Sequence, residues 1–61
     1  MTMTDPSNKE TVVRATLSLL TTLNVLLSEL NADNGEDAYF TAMDLETEAH
    51  RLTETIGRVY P

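Results

Sequence analysis

Cysteine and tryptophan are absent from this chain of 61 residues, which also has only one histidine, one phenylalanine, two prolines and two glycines. Without cysteine the chain forms no disulfide and offers no thiolate to a metal or to a nucleophilic mechanism. Two glycines are too few for a phosphate-binding loop. With a single histidine, no serine or threonine is marked as an activated nucleophile. These absences predict a protein that is not an enzyme and that holds no cofactor or metal.

Basic residues are also few, since ten acidic residues stand against four Lys or Arg and the net charge is -6. Negative charge repels the phosphates of nucleic acids and anionic membrane surfaces, so the sequence favours protein partners over either. The uncharged run at positions 15–28 is shorter than the ~20 residues that cross a bilayer, and membrane insertion is not expected. No basic segment precedes an apolar run, so the expected location is the cytoplasm.

Two segments carry apolar or small residues at alternating steps of three and four, which places them on one helical face. The first set is Val12, Thr16, Leu19, Leu23, Leu26 and Leu30. The second set is Ala38, Ala42, Leu45, Ala49, Leu52, Ile56 and Val59. The polar segment between them is short, so the helices run antiparallel. The sequence predicts an all-α, two-helix hairpin as a single domain over residues 1–61, with helices at about 6–30 and 36–59 and a turn at 31–35.

Local signals mark the ends of both helices. Asp5-Pro6, and Ser7 with Glu10, are alternative starts for the first helix. Asn and Gly in the turn tolerate the left-handed backbone that ends a helix. Asp33 with Glu36 has capping-box spacing for the second helix, whose last turn holds Arg58.

The first helix carries more apolar surface than one partner helix covers, because Val13, Leu17, Leu20 and Leu27 lie beside its seam. Small domains without disulfides or metals commonly rely on a second subunit. We therefore expect a homodimeric four-helix bundle, with a different protein on the first helix as the alternative. The residues expected in self-association are Val12, Leu19, Leu20, Leu23, Leu26, Leu27, Leu30, Leu45, Leu52 and Ile56.

Tyr39, Phe40 and Met43 fall outside the second seam and cluster at helical spacing. Exposed aromatic and methionine side chains often mark binding surfaces, so these residues are the expected partner site. In the alternative interpretation they cover the loop, the end of the first helix or the rim of a dimer.

Two groups of residues could form a functional site, but each is explained more simply as solvated surface. Glu46 and His50 are four residues apart and could share a metal, yet a solvated surface pair is the better interpretation. The acids Glu36, Asp37, Asp44 and Glu48 could imitate a phosphate backbone, although an ordinary solvated face explains them more simply. Glu48 with Arg51, and Glu54 with Arg58, are expected to form surface ion pairs.

Two families of small helical hairpin resemble this chain. A stretch such as Thr16-Leu17-Ser18-Leu19-Leu20 ahead of a polar turn at Asn31-Ala32-Asp33 is similar to the plasmid RNA-binding hairpin that controls copy number. That family binds RNA through basic and polar residues of its first helix. Here the first helix has only Lys9 and Arg14, so the family's activity is not transferred to this chain, and RNA binding is kept only as an alternative.

The segments Glu10-Thr11-Val12 and Gly35-Glu36-Asp37 resemble the small co-chaperones of type III secretion needle subunits. That resemblance implies a hairpin that pairs with a second chaperone through its apolar face. The predicted function is non-enzymatic binding of protein by apolar helix faces, as an adaptor, co-chaperone or inhibitor. The alternatives are an RNA-binding regulatory hairpin and an acidic nucleic-acid mimic of the type used by phages and mobile elements.

Overall fold

The computed structural model describes residues 6–60, and the side chains of residues 9–60. Helix α1 spans Pro6–Asn31 and helix α2 spans Gly35–Val59, and within residues 6–60 there is no strand. The two helices pack against each other along their length. The prediction of an all-α, antiparallel two-helix hairpin is confirmed. Asp5, one of the expected helix-start residues, lies outside the described residues.

The turn between the helices is built by the backbone of residues 32–34. The amide of Asp33 donates to the carbonyl oxygen of Leu30 at 3.1 Å, and the amide of Asn34 donates to that of Glu29 at 2.9 Å. This pair of bonds is a Schellman motif, which ends a helix at a residue with left-handed backbone. That residue is Asp33, with φ of 58°, whereas no glycine has positive φ. The expectation that Asn or Gly closes α1 is therefore wrong, and Gly35 instead begins α2.

Asn34 caps the N-terminus of α2. Its Oδ1 accepts from the backbone amide of Asp37 at 3.3 Å, and its Nδ2 donates to Oδ2 of Asp37 at 2.7 Å. The capping pair is thus Asn34 with Asp37, one residue beyond the expected pair of Asp33 with Glu36, because Asp33 is needed to end α1. Acidic residues occupy the first turn of α2 and Arg58 its last turn, as the helix dipole favours.

A narrow seam joins the helices, and its side chains are half-buried or, for Ala38 alone within residues 9–60, buried. On α1 the seam consists of Val12, Ala15, Leu19, Thr22, Leu26 and Glu29. On α2 it consists of Ala38, Thr41, Ala42, Leu45, Glu48, Leu52, Thr55 and Val59. Apolar positions therefore alternate along the seam with small or polar ones.

The expected seam was wrong at five positions, since Thr16, Leu23, Leu30, Ala49 and Ile56 are exposed, whereas its other positions, Ala42 among them, lie in the observed seam. Both seams contain the row of residues seven apart that includes Leu19 and Leu26, and they differ in the neighbouring row, or flank, that faces the partner helix. The expected flank lies four residues after that row, as Leu23 does, and the observed flank lies three residues after it, as Thr22 does. On α1 the observed flank carries Ala15 and Thr22, whose small side chains let the helix axes approach closely. The bulkier flank is turned outward.

Threonine is frequent in both helices, and its hydroxyl groups are satisfied locally. The Oγ1 atoms of several threonines donate to the carbonyl oxygen four residues earlier, at 2.8 to 3.3 Å, and these are Thr16, Thr21, Thr22, Thr47, Thr53 and Thr55. Thr22 and Thr55 are among them and lie in the seam. Because their hydroxyl groups already have partners, threonine can occupy seam positions without leaving a polar atom unpaired.

Asp33→Gly should stabilise the protein by about 0.5–1 kcal/mol, because glycine adopts the left-handed backbone without the Cβ clash that aspartate suffers. Asp33→Val should destabilise by about 1 kcal/mol or more, because a β-branched residue is disfavoured there. Urea unfolding of both variants at one fixed protein concentration measures the difference. Equal stability of the two variants would contradict the left-handed turn.

Candidate protein-interaction surfaces

Six large apolar side chains of α1 are exposed on one broad surface, which we name the leucine face. Its side chains are each 46 to 57% exposed, and they are Val13, Leu17, Leu20, Leu23, Leu27 and Leu30. Burying the exposed half of one such side chain contributes about 1 kcal/mol. A contiguous apolar area of this kind is uncommon on a protein that stays monomeric.

The leucine face continues across the hairpin onto α2. Leu23 and Leu30 of α1 lie four residues after the seam residues Leu19 and Leu26. Ile56 of α2 likewise lies four residues after the seam residue Leu52. In an antiparallel pair, positions that follow the seam in this way lie on the same side of both helices. Ala49, which is exposed, occupies the equivalent position one heptad earlier. One side of the hairpin is therefore apolar on both helices.

The ten residues expected in self-association divide into two groups. Half lie in the seam within the chain, where they are half-buried: Val12, Leu19, Leu26, Leu45 and Leu52. The other half are exposed, and they are Leu20, Leu23, Leu27, Leu30 and Ile56. Val13 and Leu17 belong to the leucine face and were missing from the expected set. Leu17 lies three residues before Leu20 and Val13 lies four residues before Leu17, and this helical spacing is the sequence signal that places them there.

The opposite side of the hairpin is polar. Ala15, Ser18, Glu48 and Arg51 line an open cleft of about 160 Å³ there. That volume is below the ~300 Å³ at which small-molecule sites begin, so the cleft suits a few water molecules rather than a substrate. Val25 lies seven residues after Ser18, on the same side as the cleft, and is 45% exposed.

Two carboxylates weaken the seam. Oε1 of Glu29 and Oε1 of Glu48 are both shielded from solvent and have no hydrogen-bond partner. Removing a carboxylate oxygen from water without a partner is unfavourable. The hairpin interface is thus thin in apolar area and also carries two poorly satisfied polar groups.

The second exposed surface is the turn-end patch of Tyr39, Phe40 and Met43. These side chains are 65, 56 and 46% exposed, on the face of α2 that points away from α1. The rings of Tyr39 and Phe40 meet edge to face, with centroids 5.6 Å apart and planes at 72°. The patch does not cover α1 within the hairpin, so its apolar atoms are available to a partner.

The ion pairs differ from those expected. Nε2 of His50 lies 3.3 Å from Oε2 of Glu54, not beside Glu46, and Arg14 lies 3.3 Å from Glu10. The expected pairs of Glu48 with Arg51 and of Glu54 with Arg58 are not formed, because Glu48 faces the seam and Glu54 turns to the histidine. No group of three potential metal ligands occurs in the described residues.

Charge is segregated along the hairpin. Seven acidic residues and no Lys or Arg lie between positions 15 and 50, which the fold places toward the turn. All four Lys and Arg lie on the first part of α1 or the last part of α2, at the open end: Lys9, Arg14, Arg51 and Arg58. The turn end is therefore strongly negative and the open end nearly neutral.

Not every acid on α2 is equally accessible. Asp37 is bonded to the cap residue Asn34, and Glu48 lies in the seam. Glu36 and Asp44 are exposed, and neither has an ion-pair partner among residues 9–60. The expected acidic array is thus interrupted, which leaves a poor imitation of evenly spaced phosphates.

Most of α1 is long and apolar enough to cross a membrane, judged by length and composition alone. The segment is Lys9–Asn31, 23 residues whose most apolar stretch of 18 residues has a mean hydropathy of 1.4, although four residues of the segment are charged. A core helix of a soluble assembly has the same properties, so this finding does not separate lipid from protein as the covering of α1.

Comparisons with protein-family models, with characterised proteins and with solved structures found no match to this chain.

Phe40→Ala should change the free energy of unfolding by less than about 0.5 kcal/mol, because the side chain is mostly in solvent and its loss opens no cavity. Leu45→Ala, on the same helix but in the seam, should destabilise by about 2 kcal/mol. Thermal unfolding followed by circular dichroism measures both changes. A large loss of stability in Phe40→Ala would show that the patch packs inside the folded protein.

Proposed function

We propose that this chain is a non-enzymatic binding protein that acts through its apolar helix faces and that pairs with a second copy to form a four-helix bundle. The leucine face carries this proposal, because six large apolar side chains on one helix remain about half exposed in the hairpin. Each copy offers the same face, so an isologous contact covers both at once.

Pairing also accounts for the weak seam. A hairpin whose described side chains include a single buried residue, Ala38, has little core of its own. Chains of this size usually need a further stabilising element, and without cysteine a second subunit is the remaining common one. Folding and association are then coupled, so stability depends on protein concentration.

The segregation of charge favours one orientation of the two hairpins. Side by side with both turns at the same end, two strongly negative turn ends would repel each other. With the turns at opposite ends, each acidic turn end lies beside the four bases of the other open end. We therefore propose the antiparallel arrangement.

A second copy fits α1 better than a bilayer does. The uncharged part of α1 spans positions 15–28, which is about 21 Å of helix, whereas a bilayer core is ~30 Å thick. Glu10, Arg14 and Glu29 would lie within or at the edge of the apolar layer. In a protein bundle these charges lie toward the ends of the helix, where Glu10 and Arg14 stay in contact with water.

The turn-end patch stays accessible in this dimer at Phe40 and Met43, which face away from both the seam and the leucine face. We propose that it binds a different protein, which makes the dimer an adaptor, a co-chaperone or an inhibitor of that partner. Aromatic and methionine side chains are suited to such contacts because they present large adaptable apolar areas.

The melting temperature should rise with protein concentration, because association stabilises the folded state. Sedimentation equilibrium should give twice the mass of one chain under the same conditions. A melting temperature that is independent of concentration, together with a monomeric mass at high micromolar concentration, would refute the dimer.

Leu23→Gln and Val25→Gln form a matched pair for locating the interface. The two residues are 47 and 45% exposed on the same helix but lie on opposite sides of the hairpin. Leu23→Gln should weaken dimerisation by about tenfold or more, since the amide would be buried in both copies, and Val25→Gln should change it little. Equal effects would place the interface elsewhere.

A further inference from the structure

We propose that the turn-end patch binds a cationic amphipathic segment of another protein, one that presents apolar side chains together with Lys or Arg. This inference rests on the proposed function of protein binding by apolar helix faces and adds the chemistry of the partner. It is carried by the patch of Tyr39, Phe40 and Met43 and by the charges that surround it.

Carboxylates border the patch along the helix on both sides. Glu36 lies four residues before Phe40 and Asp44 lies four residues after it, so all three share one stripe of α2. Both acids are exposed and have no ion-pair partner among the described side chains. A ligand on the patch therefore meets apolar rings in the middle and, at each end, a carboxylate that forms no ion pair with a described side chain of its own hairpin.

The charge of the whole turn end excludes the other occupants. A second copy placed patch to patch would bring two acidic turn ends together, with no Lys or Arg of either chain between positions 15 and 50 to neutralise them. Anionic lipid and nucleic acid would be repelled for the same reason. An apolar ligand without charge would leave Glu36 and Asp44 partly desolvated and unpaired, which is unfavourable.

A cationic partner satisfies each part of the surface. Its Lys or Arg side chains pair with Glu36 and Asp44, and its apolar side chains cover Phe40 and Met43. The exposed faces of Tyr39 and Phe40 offer a further contact to a cation. An amphipathic helix supplies both groups at the spacing of one helical turn, which matches the spacing of the patch on α2.

Three synthetic peptides of equal length test this inference on the full chain by calorimetry, with NMR to map the contacts. One has Leu and Lys at amphipathic helical spacing, one has Glu in place of each Lys, and one has Ser in place of each Leu. The first should bind and shift the resonances of Tyr39, Phe40 and Met43, and its affinity should fall as salt rises. The other two should bind at least about tenfold more weakly.

Matched variants locate the binding. Phe40→Ala should lower the affinity for the Leu-Lys peptide by about tenfold or more. The double variant Glu36→Gln/Asp44→Asn should weaken it severalfold, whereas Glu10→Gln/Glu54→Gln removes the same charge at the open end and should leave the affinity unchanged. Equal losses in the two double variants would mean that net charge attracts the peptide, which would overturn the patch as its site.

The outcomes separate this inference from the dimer. Binding of the Leu-Glu peptide as tightly as the Leu-Lys peptide would overturn the cationic partner. So would peptide binding that Leu23→Gln weakens and Phe40→Ala does not, since the peptide would then occupy the leucine face. A chain that is monomeric in sedimentation but binds the Leu-Lys peptide at the patch would support this inference and refute the dimer.

Discussion

The packing of α1 against α2 determines both the core of the hairpin and the surfaces that it exposes. It brings leucines such as Leu19 and Leu52 into a seam whose alternate positions are alanine, threonine or glutamate. A seam of this composition lets the helices lie close together but buries little apolar area. The bulky side chains are consequently displaced to the outside, where they form the leucine face. The weak core and the exposed apolar surface therefore have the same cause, which is the set of residues that faces inward between the helices.

The sequence was sufficient to predict the hairpin because each helix has a row of apolar or small residues at intervals of seven. Both possible seams contain that row. It was not sufficient to choose between the flanks. The alternation of three and four is the same whether Leu23 or Thr22 faces the partner, and hydrophobicity alone favours Leu23. The structure places Thr22 inward, where its hydroxyl group is already bonded to a backbone carbonyl. A hydrophobic pattern does not show this local hydrogen bond, which removes the cost of placing a threonine hydroxyl group in the seam.

The candidate surfaces were predictable to different degrees. Tyr39, Phe40 and Met43 could be identified because they stand outside either seam, and the structure leaves them exposed. The charge segregation was present in the sequence as a long interval without Lys or Arg, but its meaning depends on folding the chain back on itself. Only then do bases from both termini of the hairpin gather at one end. The ion pairs were predicted poorly, because several partners at helical spacing compete for each side chain, as Glu54 shows with His50.

Asn34 completes the end of α1 and also caps α2, so the connection contains no residue that serves only as a spacer. An inserted residue would therefore extend or displace one of the helices, because the turn has no unstructured part that could lengthen instead. Each additional residue carried into α2 would rotate that helix by about 100° about its axis and bring a different stripe against α1. Insertions and deletions in this turn would thus act as exchanges of the surface that α2 shows to other molecules, and the length of the turn is as restrictive a requirement as any side chain in the seam.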